Sequence, residues 1–245
     1  MKNLEQILMA EIISSLNESG FIESDKKAAA DKNNINESYV AQSKQFDLKT
    51  ELLSDKNKSA HQGLMNNYVE TLNKVSAKLD AVDRKASNLN HSAFRQLKVD
   101  EAYNLNAAFL HGLFFQNISD LNSTITMDSL SFLRLERDFG SFDMWQKDFI
   151  ACAAANRNGW AITGYNTMLR RYVNTFIDLH SQNCMVGLHP IIVVDCWEHS
   201  YYRDYLSDRM SYVIGMMKEL DWNVIEQRIK VADKIHEALK WNIQD

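Results

Sequence analysis

The sequence predicts an α+β protein, with an N-terminal helical hairpin followed by a C-terminal α/β domain holding a small three-stranded antiparallel sheet. Three observations predict it. With 8 Gly and one Pro among 245 residues, turn formers are too few for a sandwich of many short strands. Apolar residues recur at helical spacing through the first half, and three runs rich in β-branched and aromatic residues follow between 159 and 197. Hydrophobic residues make up 45% of the chain, enough to fill a sizeable core.

Residues 1–45 read as an N-terminal extension, an amphipathic helix followed by a polar linker. Leu4, Ile7, Leu8, Ile12 and Leu16 share one helical face, whereas Glu5 and Glu11 interrupt the apolar run that a secretory signal would need. The helical hairpin domain is expected over 46–122. Its first helix, at 52–88, carries Leu53, His61, Leu64, Tyr68, Leu72, Val75 and Leu79 at threes, fours and sevens. Its second, at 98–118, aligns Leu105, Ala108, His111 and Phe115 before the Asn and Ser residues of 117–123 break it.

The C-terminal α/β domain is expected over 123–245. The small residues Gly140 and Ser141 precede a helical pattern, and the strand-like runs GWAITGY, MLRRYVNTFIDLH and HPIIVVDCW follow. Tyr165-Asn166-Thr167 turns the first pair, SQNCMVG links the second, and the remainder reads as helix to the end.

Lys and Arg number 27 against 32 Asp and Glu, a net charge of −5 that leaves no basic footprint for a nucleic-acid backbone. No stretch approaches the roughly 20 apolar residues that span a bilayer, so no membrane partner is expected. Cys152, Cys184 and Cys196 have no paired spacing, which argues against a disulfide framework or a four-thiolate zinc site and suits a reducing cytoplasm.

Two patterns carry chemistry. His111 lies in the apolar run AAFLHGLFF, where an imidazole must hydrogen-bond through both nitrogens or give one to a metal. Asp195 ends the apolar run IIVV, and His199 follows four residues later. A carboxylate entering an interior needs neutralising, and a cation does that; an Asp before a helix is also a common N-cap. Spacing leaves both roles open.

Asp195-Cys196-Trp197-Glu198-His199-Ser200-Tyr201-Tyr202 resembles D-x-W-E-H-x-Y-Y, the signature of the iron/manganese superoxide dismutases. The likeness extends through Phe139-Gly140-Ser141-Phe142, Gly159-Trp160-Ala161, Asn104-Leu105 and Asp221-Trp222-Asn223-Val224, and covers about 46–235. It implies a superoxide dismutase, an antioxidant oxidoreductase that turns superoxide into oxygen and hydrogen peroxide at one Fe or Mn ion per subunit. By the resemblance, Asp195, His199 and His111 are ligands, although Leu110 stands where the family usually has Asn.

Tyr68 matches the gate tyrosine, and the family's first ligand stands eight residues before it, where this chain has Ala60. His61 is one place later. Seven residues keep two helical side chains nearly in line, whereas eight do so only with an extra-residue bulge, so a lost bulge makes His61 the first ligand. Leu64 or Met65 replaces the histidine expected one turn on, near the substrate gate. His180, fifteen residues before Asp195, matches one branch's hydrogen-bond donor to the metal-bound solvent, and Ala107 matches that branch's small residue. Trp160 and Trp197 would wall the pocket, and Glu198 would bridge to the ligand histidine of a second subunit across a homodimer interface. Three imidazoles and one carboxylate suit iron or manganese in both the +2 and +3 states. The rival reading is a structural or assembly protein that keeps this fold without its catalysis. A protein partner for residues 1–17 is compatible with either.

Overall fold

The structure is a computed structural model describing residues 22–23, 38–119 and 122–240. The helix expected over 1–17 lies outside the described residues. Two compact units are present, one formed by 1–45 and 62–112, the other by 46–61 and 113–245. Among the described residues no helix is long and apolar enough to cross a membrane.

In the first unit two long helices pack as the expected hairpin. Helix α1 (Asp55–Ala81) starts and helix α2 (Ala93–Asn117) ends in the second unit. Ser92 caps α2 by accepting the Arg95 N–H at 3.2 Å, so this helix begins five residues before the apolar periodicity suggests. Val69 and Leu72 of α1 meet Ala108 of α2, and Ala41 joins them, with Tyr39, Tyr68 and Leu105 at the margin. Ala41 belongs to the short strand β2 (Val40–Ala41), which pairs antiparallel with β1 (Ile22–Glu23). The Asn73 amide receives the Ala41 N–H at 2.7 Å and donates to its carbonyl at 2.9 Å, as a neighbouring strand would. The end of the polar run 24–45 is thereby held on the hairpin.

The second unit is built on the expected sheet, ordered β4-β3-β5 and antiparallel throughout, from β3 (Gly159–Asn166), β4 (Arg171–Asp178) and β5 (Leu188–Asp195). β3 is central and buried along its whole length, which is why it reads as a continuous run rather than an alternation. Gly159 must be glycine: a Cβ there would overlap the Ile177 carbonyl of β4. Helices α3 (Leu130–Phe139) and α4 (Phe142–Ala155) precede the sheet, and α5 (Glu198–Tyr205), α6 (Arg209–Lys218) and α7 (Trp222–Lys240) follow it. Ser129, Ser141 and Asp208 cap α3, α4 and α6 through their side chains.

One polar hub ties α2, β5 and α7 together. Arg228 of α7 donates to Leu113 O (3.1 Å) and Gln116 Oε1 (2.8 Å) in the last turn of α2, to Asn117 Oδ1 (3.1 Å), and to Ile191 O of β5 (2.8 Å). Burial pushes this guanidinium down to about 9, and the cation stays charged while it satisfies the helix's terminal carbonyls. Asn117 Oδ1 also accepts the Val193 N–H at 3.0 Å, and its backbone carbonyl accepts from Asp221 N at 2.6 Å. Replacing Asn117 by Ala strands a buried strand N–H and part of a guanidinium. The expected loss is about 2 kcal/mol of unfolding free energy, read from urea denaturation midpoints at unchanged slope; a midpoint within error of the parent would refute this role for the hub.

Candidate metal centre

The apolar run Ile191–Val194 lies wholly buried in β5 and carries Asp195 into the interior at the strand's end. The chain then turns into α5, whose second residue is His199. The two carboxylate oxygens have different partners. Oδ1 accepts the Trp197 N–H at 2.8 Å in an Asx-type turn at the strand-to-helix corner. The N-cap of α5 is Trp197, which makes no side-chain cap bond, so Asp195 is not the helix N-cap. Oδ2 faces His199 Nε2 at 3.2 Å and His61 Nε2 at 3.0 Å.

His61 arrives from the start of α1, in the part of that helix belonging to the second unit. Ser54 caps the helix by accepting from Asn57 N at 3.3 Å, and its own N–H is held by Asp204 of α5 at 3.0 Å. Asn57 Nδ2 donates to Ser200 O (2.9 Å) and to Asp204 (2.8 Å). These bonds fix the first turns of α1 against α5, and His61 projects toward Asp195. Its ring is 5.0 Å from that of His199 and is flanked by Phe114 and Phe115 at 5.6 and 4.8 Å.

The electrostatics follow from burial. Burial raises the pKa of Asp195, but His199 and His61 outweigh it through charge and hydrogen bonding and hold the carboxyl below its usual range. Burial lowers the pKa of His61, and Asp195 offsets only part of that. At neutral pH the set is therefore one anion with a neutral imidazole whose nitrogen points at it. The potential ligand atoms of His61, Asp195 and His199 lie within 4.8 Å of one another. Two imidazole nitrogens and a fully buried carboxylate oxygen, aimed at one point, fit a divalent or trivalent cation of hard to borderline character.

Behind these residues stands an aromatic wall. Trp197 stacks on His199 (5.6 Å, 21°) and on His180 (4.9 Å, 28°). Trp160 Nε1 donates to His180 Nδ1 at 3.1 Å; indole nitrogen only donates, so Nδ1 is the acceptor and the His180 proton resides on Nε2. Burial pushes His180 down to about 4, so it is neutral at physiological pH. Glu198 is exposed at the first position of α5, and Tyr202, one turn later, is 52% exposed.

The other two expected site residues stand in the first unit. His111 is fully buried on α2, and its Nδ1 bonds Ala107 O at 2.6 Å, which places the ring proton on Nδ1 and the lone pair on Nε2. The Tyr68 ring lies 5.5 Å from the His111 ring. Helix α1 runs from His61 through Tyr68 as regular α-helix with no extra-residue turn, in keeping with a gap of seven. The sequence patterns do not single out Phe114 beside His61 or Tyr103 beside Tyr68, whereas Phe115 lies on the apolar face that they predict. Tyr103 carried a readable signal, since Tyr103, Ala107 and His111 recur at four-residue spacing within the broad apolar stripe of α2.

Residues 131–228 match the family model of the iron/manganese superoxide dismutase C-terminal domain. A superoxide dismutase [Fe] of Aquifex aeolicus is 35% identical over 176 residues, covering 71% of this chain and 82% of that protein. The chain belongs to the iron/manganese superoxide dismutase family. Superoxide dismutase [Mn] 2 of Haloferax volcanii is 34% identical over 177 residues, 72% of this chain and 84% of its own. Superoxide dismutase [Mn] 1 of Halobacterium salinarum is 31% identical over 172 residues, 70% and 82% respectively. Iron and manganese enzymes thus stand at similar distance, which agrees with ligand types that serve either metal. Replacing His61 by Ala should lower iron or manganese content, measured by elemental analysis of purified protein, as much as His199→Ala does. Full occupancy in the His61 variant would remove that residue from the site.

Proposed function

We propose that this protein disproportionates superoxide to oxygen and hydrogen peroxide at a single iron or manganese ion per subunit, held by His61, His111, Asp195 and His199. The observation that carries the proposal is the convergence of His61 Nε2 and His199 Nε2 on the fully buried Asp195 Oδ2. His111 as fourth ligand is supported by its complete burial and by the tautomer that Ala107 selects, which leaves the Nε2 lone pair for an ion.

A bound iron or manganese ion would supply the one-electron redox chemistry that the disproportionation needs. The chain's own residues set the conditions for it. Asp195 is the one carboxylate of the set, so a bound divalent or trivalent ion would leave the site a net positive charge for an anionic substrate. His180, kept neutral by burial and fixed in its tautomer by Trp160, holds a proton at Nε2 for the solvent of the site. Trp160 and Trp197 exclude bulk water from that proton, and Tyr68 stands beside His111 as the gate.

Glu198 and Tyr202, exposed beside His199, are proposed to face a second copy in a homodimer, with Glu198 bridging to the partner's ligand histidine. A reducing cytoplasm suits Cys152, Cys184 and Cys196, none of which forms a disulfide among the described residues. The reading as a non-catalytic protein of the same fold draws on Leu64 and the fully buried Met65, apolar one turn after His61.

Purified protein is expected to contain iron or manganese near one ion per chain and to dismute superoxide in a cytochrome reduction assay; metal-free, inactive protein would favour the non-catalytic reading. The Glu198→Ala variant is expected to shift light-scattering mass from dimer toward monomer, and a mass unaffected by the change would reject the bridge.

A further inference from the structure

We infer that Tyr103 is a positioning residue for Tyr68, aiming the gate hydroxyl by a phenol-to-phenol hydrogen bond; this rests on the reading of Tyr68 as the gate. Three residues of α2 share one face at four-residue spacing, Tyr103, Ala107 and His111. Tyr68 of α1 meets two of them. Its ring is 6.4 Å from that of Tyr103 at 62°, edge to face, and 5.5 Å from that of His111 at 33°. Between them Ala107 is fully buried and has no polar side-chain atom to reach a hydroxyl. The side-chain hydrogen bond to Tyr68 comes instead from one turn earlier, at Tyr103.

Packing alone does not accomplish this aim. Tyr68 leans on Ala41, Val69, Leu72 and Ala108, which restrain its ring. A phenol O–H still swings about its C–O bond, and apolar neighbours do not choose its direction. A second hydroxyl does. Burial raises the pKa of Tyr103 against the opposing hydrogen bond to Tyr68, so Tyr103 remains a protonated phenol through the physiological range. Such a group either donates to the Tyr68 oxygen or accepts from it. When it donates, the Tyr68 O–H is turned toward the space beside His111, where an arriving anion would need it. The pair is local to the first unit, since both residues lie within 62–112.

The test separates a bond from a ring contact, because Tyr103→Phe keeps the ring and deletes only the oxygen. Metal-loaded wild type, Tyr103→Phe, Tyr68→Phe and the double variant are compared for dismutation kcat by pulse radiolysis, metal content and Tm. Loss of one neutral hydrogen bond corresponds to about a twofold to tenfold fall in kcat. Tyr103→Phe is expected to show that fall with metal content unchanged, while the double variant is no slower than Tyr68→Phe, since Tyr103 acts through the gate hydroxyl. An unchanged kcat, or the same factor lost in both backgrounds, overturns the inference. A readout independent of turnover uses the full chain labelled with 3-fluorotyrosine, with the Tyr68 resonance assigned by its loss in Tyr68→Phe. Tyr103→Phe should displace that ¹⁹F resonance, and an unmoved resonance overturns the pairing. Should wild type dismute no superoxide, the proposed function fails, and the ¹⁹F comparison still decides the pairing.

Discussion

Two imidazole nitrogens within about hydrogen-bond distance of one buried carboxylate oxygen are the constraint on which the rest of the second unit depends. An aspartate at zero exposure is unfavourable by several kcal/mol unless its charge is met by donors or by a cation. The corner between β5 and α5, the cap of α1 at Ser54 and the Asn57 bonds to Ser200 and Asp204 all deliver those groups to one place. None of these contacts is strong alone. Together they leave His61 and His199 few rotamers, and a preorganised donor set takes up an ion with less ordering cost than a floppy one.

The two oxygens of Asp195 have different partners: one closes an Asx-type turn with Trp197, and the other faces two imidazoles. An Asx-type turn uses one oxygen and a ligand needs one, and a carboxylate has two. Separation of the N-cap and ligand readings was impossible from spacing, because the same i-to-i+4 pattern serves a cap followed by any helix. The tautomers of His111 and His180 were likewise illegible. Each is chosen by a neighbour distant from any motif, a carbonyl one turn back or an indole twenty residues upstream.

Much of the fold was legible. Continuous apolar character in 159–166 and 191–194 marked strands buried on both faces, and the periodicity of 61–79 marked α1. Boundaries were less so. Helix α2 starts at Ala93 because Ser92 caps it, upstream of any apolar stripe, and α1 stops at Ala81 although polar residues to 88 would permit more helix. The short β2 was hidden in a polar run because it has only two residues, too few for a period; besides its pairing with β1, it is held on the hairpin by the Asn73 side chain. Tyr103 escaped notice for another reason: a half-buried tyrosine on a helix reads as packing until its partner's position is known.

The hub at Asn117 bears on the order in which the molecule can assemble. Its bonds to Val193 and Arg228 span 76 and 111 positions of the chain. Contacts of such long sequence separation close late, after the loop entropy between them has been overcome. A nascent chain that has released α2 but not yet α7 lacks the guanidinium that receives the terminal carbonyls of α2, leaving the last turn that carries Phe114 and Phe115 to fray. The aromatic floor beneath His61 therefore depends on α7, a helix more than a hundred positions away that supplies none of the candidate ligands.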